Sequence, residues 1–251
     1  MNPNFALIIH RGLQLLVFEP WWNAGLVHGM TTTQLAGSFI SISESARIVC
    51  EALDVHHLAL PLQCHGCDVV DLRSASRCEQ MLQQHGDLMR RETGDAILAP
   101  EKQALNGVTT GFGIATADCV PILVRGQTGF ALIHAGWRGL ANGVISRALQ
   151  KLGGAREAVV FGCAGGQRYE VGLEVLEAIG PSSVATPSHE REGAWLLDTA
   201  LTAIRQLREE CPTIQAVGAE VCTIDDTRFH SFRRDGEKAG RALTFVIPGA
   251  P

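Results

Sequence analysis

The sequence predicts an α+β fold, and three observations lead there. Apolar residues recur at helical spacing in ESARIVCEAL (44–53), NGVISRALQKL (142–152) and LDTALTAIRQLREE (197–210). Between them lie short apolar runs bounded by Gly, Pro or Asp, which read as strands. Two of these runs, CVPILV (119–124) and FALIHA (130–135), are separated only by the turn-forming RGQTG. That spacing implies antiparallel pairing and excludes a regularly alternating parallel sheet.

Taken in chain order, the N-terminal stretch reads as a β-hairpin turning at Arg11-Gly12, with LQLLVF (13–18) as its second strand. ESARIVCEAL follows as the first helix, and ALPLQC (59–64) as a strand. SASRCEQMLQQHGDLMRRETG (74–94) is polar with a helical period and reads as a surface helix. After the CVPILV/FALIHA hairpin come the 142–152 helix, the strand EAVVFG (157–162) and the 197–210 helix. The strands AVGAEVC (216–222) and ALTFVI (242–247) complete the series.

Bulk composition narrows the function. The 251 residues are 46% apolar, ample for a buried core, and the net charge of -5 leaves no general basic footprint for nucleic acid or an anionic membrane. The dense basic cluster is Arg233, Arg234, Lys238 and Arg241. His10 and Arg11 interrupt the apolar start before it reaches the length of a signal-peptide core or a membrane span. Eight scattered cysteines without secretory features suit reduced thiols, so the expected location is the cytoplasm.

Cys64 and Cys67 bracket a His-Gly pair in QCHGCDVVDL, the C-x-x-C spacing of redox and zinc sites. No helix signal follows to lower a thiol pKa, and no second C-x-x-C or H-x3-5-H supplies a zinc partner, so the two cysteines read as incidental. If the stretch is extended, His65 and Cys67 share a face and Cys64 takes the other. The hairpin meanwhile brings Cys119, at the start of one strand, beside His134, at the end of the next. Two chemistries stay open. One is a thiolate nucleophile with a His base oriented by Asp118; the other is a metal site with His65 as third ligand and a free fourth position. Gly136 and Gly139 lie where strand hands over to helix, with Arg138 beside them to meet an anion. SFRRDGEKAGR (231–241) concentrates further guanidinium groups.

Taken together, QCHG, ADCVPILV, IHAGWRGL, YEVGLEVL and CTIDDTRFHSFRRDGEKAGR resemble the bacterial polyphenol oxidase or laccase-domain family, largely regarded as zinc-dependent purine nucleoside phosphorylases. The resemblance covers roughly residues 20–247. It implies a single domain over 1–251 of stacked mixed and antiparallel β-sheets flanked by helices. It also implies zinc on His65, Cys119 and His134. Cys119, His134 and Asp118 are the expected catalytic set, and Arg138, Arg233 and Arg234 are the candidate phosphate or substrate ligands by their chemistry, not by a role the family assigns. The implied reactions are phosphorolysis of adenosine, inosine, guanosine or methylthioadenosine and deamination of adenosine, so purine nucleoside and phosphate are the expected partners.

Three departures from the family pattern stand out. MTTTQLAGS puts Thr33 where the family's T-T-R-x-G-G block has its arginine, and Leu35 and Ala36 where it has glycines; the usual small-Leu-Asn segment is absent from SFISISESARIV; and the G-P-x-I-G turn has become GCAGG (162–166). The metal side is thus expected intact and the phosphate side altered. Copper at the same ligands would support phenol oxidation, but a multicopper oxidase needs H-x-H pairs, and the nine histidines form none. A third reading is implied by a branch of the resembled family described as a peptidoglycan editing factor: a hydrolase of nucleotide-linked cell-wall precursors with Cys119 or metal-activated water as nucleophile. A non-enzymatic paralogue that binds a nucleoside or a protein is the remaining alternative, though retention of all three ligands argues against it.

Overall fold

The structure, a computed structural model, describes residues 1–35, 41–85, 89–103 and 107–249. Two large sheets dominate. The seven-stranded sheet runs in the order Phe5–His10, Leu13–Phe18, Val27–Thr31, Ala242–Ile247, Thr110–Thr116, His57–Leu62, Met89–Thr93. The six-stranded sheet runs Gln215–Gly218, Ala155–Val160, Val120–Gly126, Gly129–Ala135, Ala96–Pro100, Val69–Asp71. A small third sheet joins Glu170–Val171, Trp195–Leu197 and Ala185–Pro187. Parallel and antiparallel pairs mix, as the sequence predicts for an α+β protein.

The two large sheets stack face to face. Leu16, Met30, Phe112 and Val246 from one meet Ile97, Leu123, Leu132 and Val159 from the other. Because side chains alternate across a strand, Ile122 and Val124 point the other way, where they pack on Val144, Ala148 and Leu152 of the Val144–Leu152 helix. Ala203 and Leu207 of the Thr199–Glu210 helix join the same cluster. On the far side of the seven-stranded sheet, Leu58, Leu60 and Phe245 pack on Ala46 and Val49 of the Ile42–Leu53 helix. Burial on both faces explains why these strands are continuous apolar runs in the sequence.

Local chemistry sets the boundaries. The N-terminal hairpin turns at Arg11 and Gly12, both at positive φ (49° and 83°), pairing Phe5 with Phe18 and His10 with Leu13. The Ser41 hydroxyl accepts from the Glu44 N–H to start one helix, and the Asp198 carboxylate accepts from the Leu201 N–H to start another.

Two expectations need correction. The 74–94 stretch is helical only over Ala75–His85, and its end forms the strand Met89–Thr93, parallel to His57–Leu62. Pairing with a strand distant in sequence overrides the weak local helical period. The strand expected over 216–222 stops at Gly218, because Glu220 takes a positive φ of 55°; Cys222 keeps only an isolated bridge to Cys163. Among the described residues no helix is long and apolar enough to cross a membrane.

One core group makes stability depend on pH. His28 is 0% exposed; Nδ1 donates to the Leu26 carbonyl at 2.8 Å and Nε2 accepts the Phe18 N–H at 3.2 Å, a pattern only the neutral ring provides. Burial lowers its pKa to about 4. The unfolded chain takes up this proton near pH 6.5, whereas the folded protein resists until about pH 4. Stability is therefore lost as pH falls through that window, by roughly 3 kcal/mol in all. Urea denaturation at pH 7, 5.5 and 4 should show a steeper loss in the wild type than in His28→Gln; equal slopes would contradict this.

Candidate metal centre

The central hairpin sets the first two groups. His134 pairs with Pro121 and Ala135 with Val120, so Cys119, one step earlier, faces the chain at Gly136. A side chain there would collide: a Cβ on Gly136 would lie 2.9 Å from Cys119 Sγ and 3.3 Å from His65 Cδ2. Gly136 is thus required by close approach, not by an unusual φ.

His65 arrives from the other sheet, on the loop after the His57–Leu62 strand. The Gln63 amide extends that strand's pairing by donating to the Ala115 carbonyl at 2.8 Å and accepting from the Ala115 N–H at 2.9 Å. The chain then turns through His65 itself, at φ 62°. QCHG is therefore bent, and the expected alternation of Cys64, His65 and Cys67 across an extended strand does not hold. Cys64 Sγ sits 3.2 Å from Asp95 Oδ2, while Cys67 packs half-buried against the core.

Asp95 organises the rest. It is 0% exposed. Oδ1 lies 2.8 Å from His134 Nδ1 and accepts the His65 N–H at 2.9 Å; Oδ2 accepts the Gly66 N–H at 2.7 Å and the Cys64 N–H at 3.3 Å. Burial opposes ionisation, but the hydrogen bonds from His134, Gly66 and Cys64 hold the carboxyl far below the usual carboxylate range. Asp118, expected to orient the imidazole, is engaged elsewhere. Its oxygens accept from the Thr223 hydroxyl (2.7 Å) and the Arg233 N–H (2.6 Å), so Asp95 is the carboxylate that holds His134.

The donor atoms of His65, Cys119 and His134 all lie within 4.8 Å of one another, and the two imidazoles stand 4.9 Å apart at 71°. That proximity is compatible with all three donors sharing one tetrahedral zinc, whose ligand atoms lie roughly 3.3 to 3.6 Å apart. One thiol and two imidazoles suit zinc or copper, and a carboxylate on the far nitrogen of a ligating histidine is the usual way its ring is aimed. For the Cys119 thiol, burial would raise the pKa, but the imidazoles of His134 and His65 outweigh it and bring it down to about 6. Burial opposes charge on His134 as well; Asp95 and Cys119 overcome it and raise its pKa to about 9.

A cavity of about 580 Å³ opens over these residues, with Trp137, Tyr169 and Phe232 in its walls. Arg138 lines it, stacked 4.3 Å over Trp137, as does Arg233, 4.6 Å over Tyr169. Arg234 is not brought there; its guanidinium is spent on the carbonyls of Thr223, Ile224 and Phe229 and on Asp235. Thr33 also lies elsewhere, bonded to the Arg228 and Thr227 carbonyls, and Leu35 closes a short 3-10 turn; Ala36 is outside the described residues. GCAGG backs the site: the Ala164 N–H donates to the Asp118 carbonyl at 2.9 Å. Sequence reasoning missed Asp95, and it missed Arg90 and Tyr169 as residues that line the cavity. For Asp95 the available signal is a Gly-Asp pair heading the apolar AILAP run.

The family model for multi-copper polyphenol oxidoreductase laccase matches residues 37–248. A purine nucleoside phosphorylase of Aquifex aeolicus (strain VF5) is 37% identical over 159 residues, covering 61% of this chain and 70% of that protein. Another, from Xylella fastidiosa (strain 9a5c), is 33% identical over 197 residues, covering 74% and 70%. The crystal structure of YlmD from Geobacillus stearothermophilus shares the fold, with TM-score 0.74 over 93% of this chain and 96% of that one at 22% identity.

Asp95→Asn should weaken zinc binding roughly 10- to 100-fold, read by competition with a chelator; unchanged affinity would contradict its role in aiming His134. Gly136→Ala should displace Cys119 and His65 and lower metal affinity by at least as much, in protein whose circular dichroism remains native. Wild-type affinity in that variant would show that the crowding is readily relieved.

Proposed function

We propose, from the premise that this chain belongs to the multi-copper polyphenol oxidoreductase laccase family, that it is a zinc-dependent purine nucleoside phosphorylase that also deaminates adenosine. The observation that carries the proposal is the convergence of His65, Cys119 and His134 at the floor of a cavity walled by aromatic rings and guanidinium groups. When bound to these three residues, zinc supplies a Lewis acid with an open coordination position.

The chain's own groups account for binding and orientation. Trp137, Tyr169 and Phe232 line the cavity and give it aromatic surface suited to a flat purine. Asp118, pinned by Thr223 and the Arg233 N–H, keeps lone pairs for a ribose hydroxyl. Arg138 and Arg233, already stacked on aromatic rings, carry fixed positive charge for the phosphate that must be aimed at the ribose C1′. Asp95 fixes which nitrogen of His134 faces Cys119.

One observation favours a second reading. Cys119 beside His134, whose Nδ1 is held by Asp95, is also the arrangement that a cysteine-nucleophile hydrolase uses, which supports the peptidoglycan-precursor hydrolase as a competing function. The two readings respond oppositely to a chelator.

Protein purified without added metal should carry a metal, zinc on this proposal and copper if the chain is an oxidase. With adenosine it should release adenine only when phosphate is present, form inosine without it, and lose both reactions to a chelator. No reaction with adenosine, inosine or guanosine in metal-loaded protein would refute the nucleoside reading. Turnover that survives chelation but not thiol alkylation would favour the hydrolase.

A further inference from the structure

The chain is acidic overall, with a net charge of -5, yet the cavity over the metal-ligand triad is basic. Arg90, Arg138, Arg233 and Arg241 line it, against the carboxylate of Asp118 and the thiol of Cys119. The four arrive from different parts of the fold: a sheet edge, the segment after His134, the Phe232–Asp235 turn and the approach to the Ala242–Ile247 strand. No single basic run in the sequence produces the cluster.

These guanidinium groups also differ from most of the other arginines, although Arg205 and Arg208 likewise bond to backbone carbonyls. Arg47, Arg73, Arg168, Arg228 and Arg234 each sit within 4.0 Å of a carboxylate. Among the described residues none of the four cavity arginines has such a partner. Arg233 donates to the Glu170 carbonyl, and Arg241 to the carbonyls of Ala239 and Gly240. Arg138 is held by its ring stack. Arg90 has neither a hydrogen bond nor an ion pair among the described residues.

The backbone aims Arg90 at the cavity. Leu60 pairs with Met89 and Leu62 with Thr93, so the edge strand spends four residue steps where its neighbour spends two. The surplus forms a bulge that begins at Arg90, whose φ is 54°. Bulges re-aim side chains beside active sites, and a positive φ at a non-glycine residue persists only where surroundings enforce it.

We infer that Arg90, Arg138, Arg233 and Arg241 form an anion subsite that takes a phosphoryl dianion, with Arg90 as the member that no basic run in the sequence points to. A phosphoryl group offers enough charge and acceptor oxygens to satisfy several guanidinium groups at once. It would come either from free orthophosphate or from a phosphate ester on the nucleoside. This deepens the nucleoside phosphorylase reading and rests on it for the identity of the neighbouring ligand, but the charge argument does not depend on turnover.

Calorimetric titration of the purified protein with orthophosphate, adenosine 5′-monophosphate and adenosine tests the subsite without requiring catalysis. Arg90→Gln and Arg241→Gln should each weaken binding of the phosphorylated probe roughly tenfold or more. Adenosine affinity, metal content and thermal midpoint should stay unchanged, and Arg147→Gln, on the exposed surface, should match the wild type. Tighter binding of the monophosphate than of adenosine and orthophosphate alike assigns the subsite to an ester, and tight orthophosphate binding without that gain assigns it to the free ion. Wild-type affinity for both phosphorylated probes in both variants, or no binding of either by the wild type, would overturn the inference. Loss of phosphorolysis with phosphate binding retained would count against the enzymatic reading and leave the subsite standing.

Discussion

The fully buried carboxylate of Asp95 is the constraint on which the site depends. Burying an ionised carboxylate costs several kcal/mol unless donors surround it. Here the donors come from both large sheets: the His134 imidazole from one, and the N–H groups of Cys64, His65 and Gly66 from the loop that leaves the other. Satisfying one charge therefore fixes the geometry of three segments. The backbone adds to the clamp, because the His134 N–H donates to the Asp95 carbonyl at 2.7 Å. The left-handed turn at His65 follows from the same requirement, since it directs successive N–H groups at one carboxylate.

Around this clamp the fold creates space by omission. Gly136 lets Cys119 and His65 approach, and Gly66 leaves room for Cys64 Sγ at 3.3 Å and Asp95 Oδ2 at 3.5 Å from where its Cβ would be. Strand ends of the two stacked sheets thus meet at one place, and the cavity opens above them. The same convergence gathers positive charge in an acidic protein, and three of the four guanidinium groups, those of Arg138, Arg233 and Arg241, are held by ring stacks or backbone carbonyls.

What the sequence made legible were the local features. The CVPILV/FALIHA hairpin follows from two apolar runs and a five-residue connection, and with it the neighbourhood of Cys119 and His134. The hairpin at Arg11-Gly12 and the three principal helices follow from turn chemistry and apolar period. Features that depend on residues far apart were hidden. Asp95 lies 39 residues from His134 and looks like the start of an ordinary strand, so proximity in sequence favours Asp118 as the orienting group. The bend in QCHG depends on that same distant carboxylate. Arg234 looked equivalent to Arg233, yet helical geometry turns the two side chains to different surroundings: one to the cavity, the other to carbonyls of the preceding loop. Arg90 lay in a segment that reads as helix, and only parallel pairing with a distant strand reveals the bulge.

The central claim, that His65, Cys119 and His134 share one metal ion, is tested most directly by X-ray absorption at the metal edge of the holoprotein in solution. The expected first shell contains one sulfur at about 2.3 Å and two imidazole nitrogens at about 2.0 Å, with the sulfur contribution absent in Cys119→Ser. A shell of nitrogen and oxygen alone in the wild-type protein, or a sulfur contribution that survives the substitution, would contradict it.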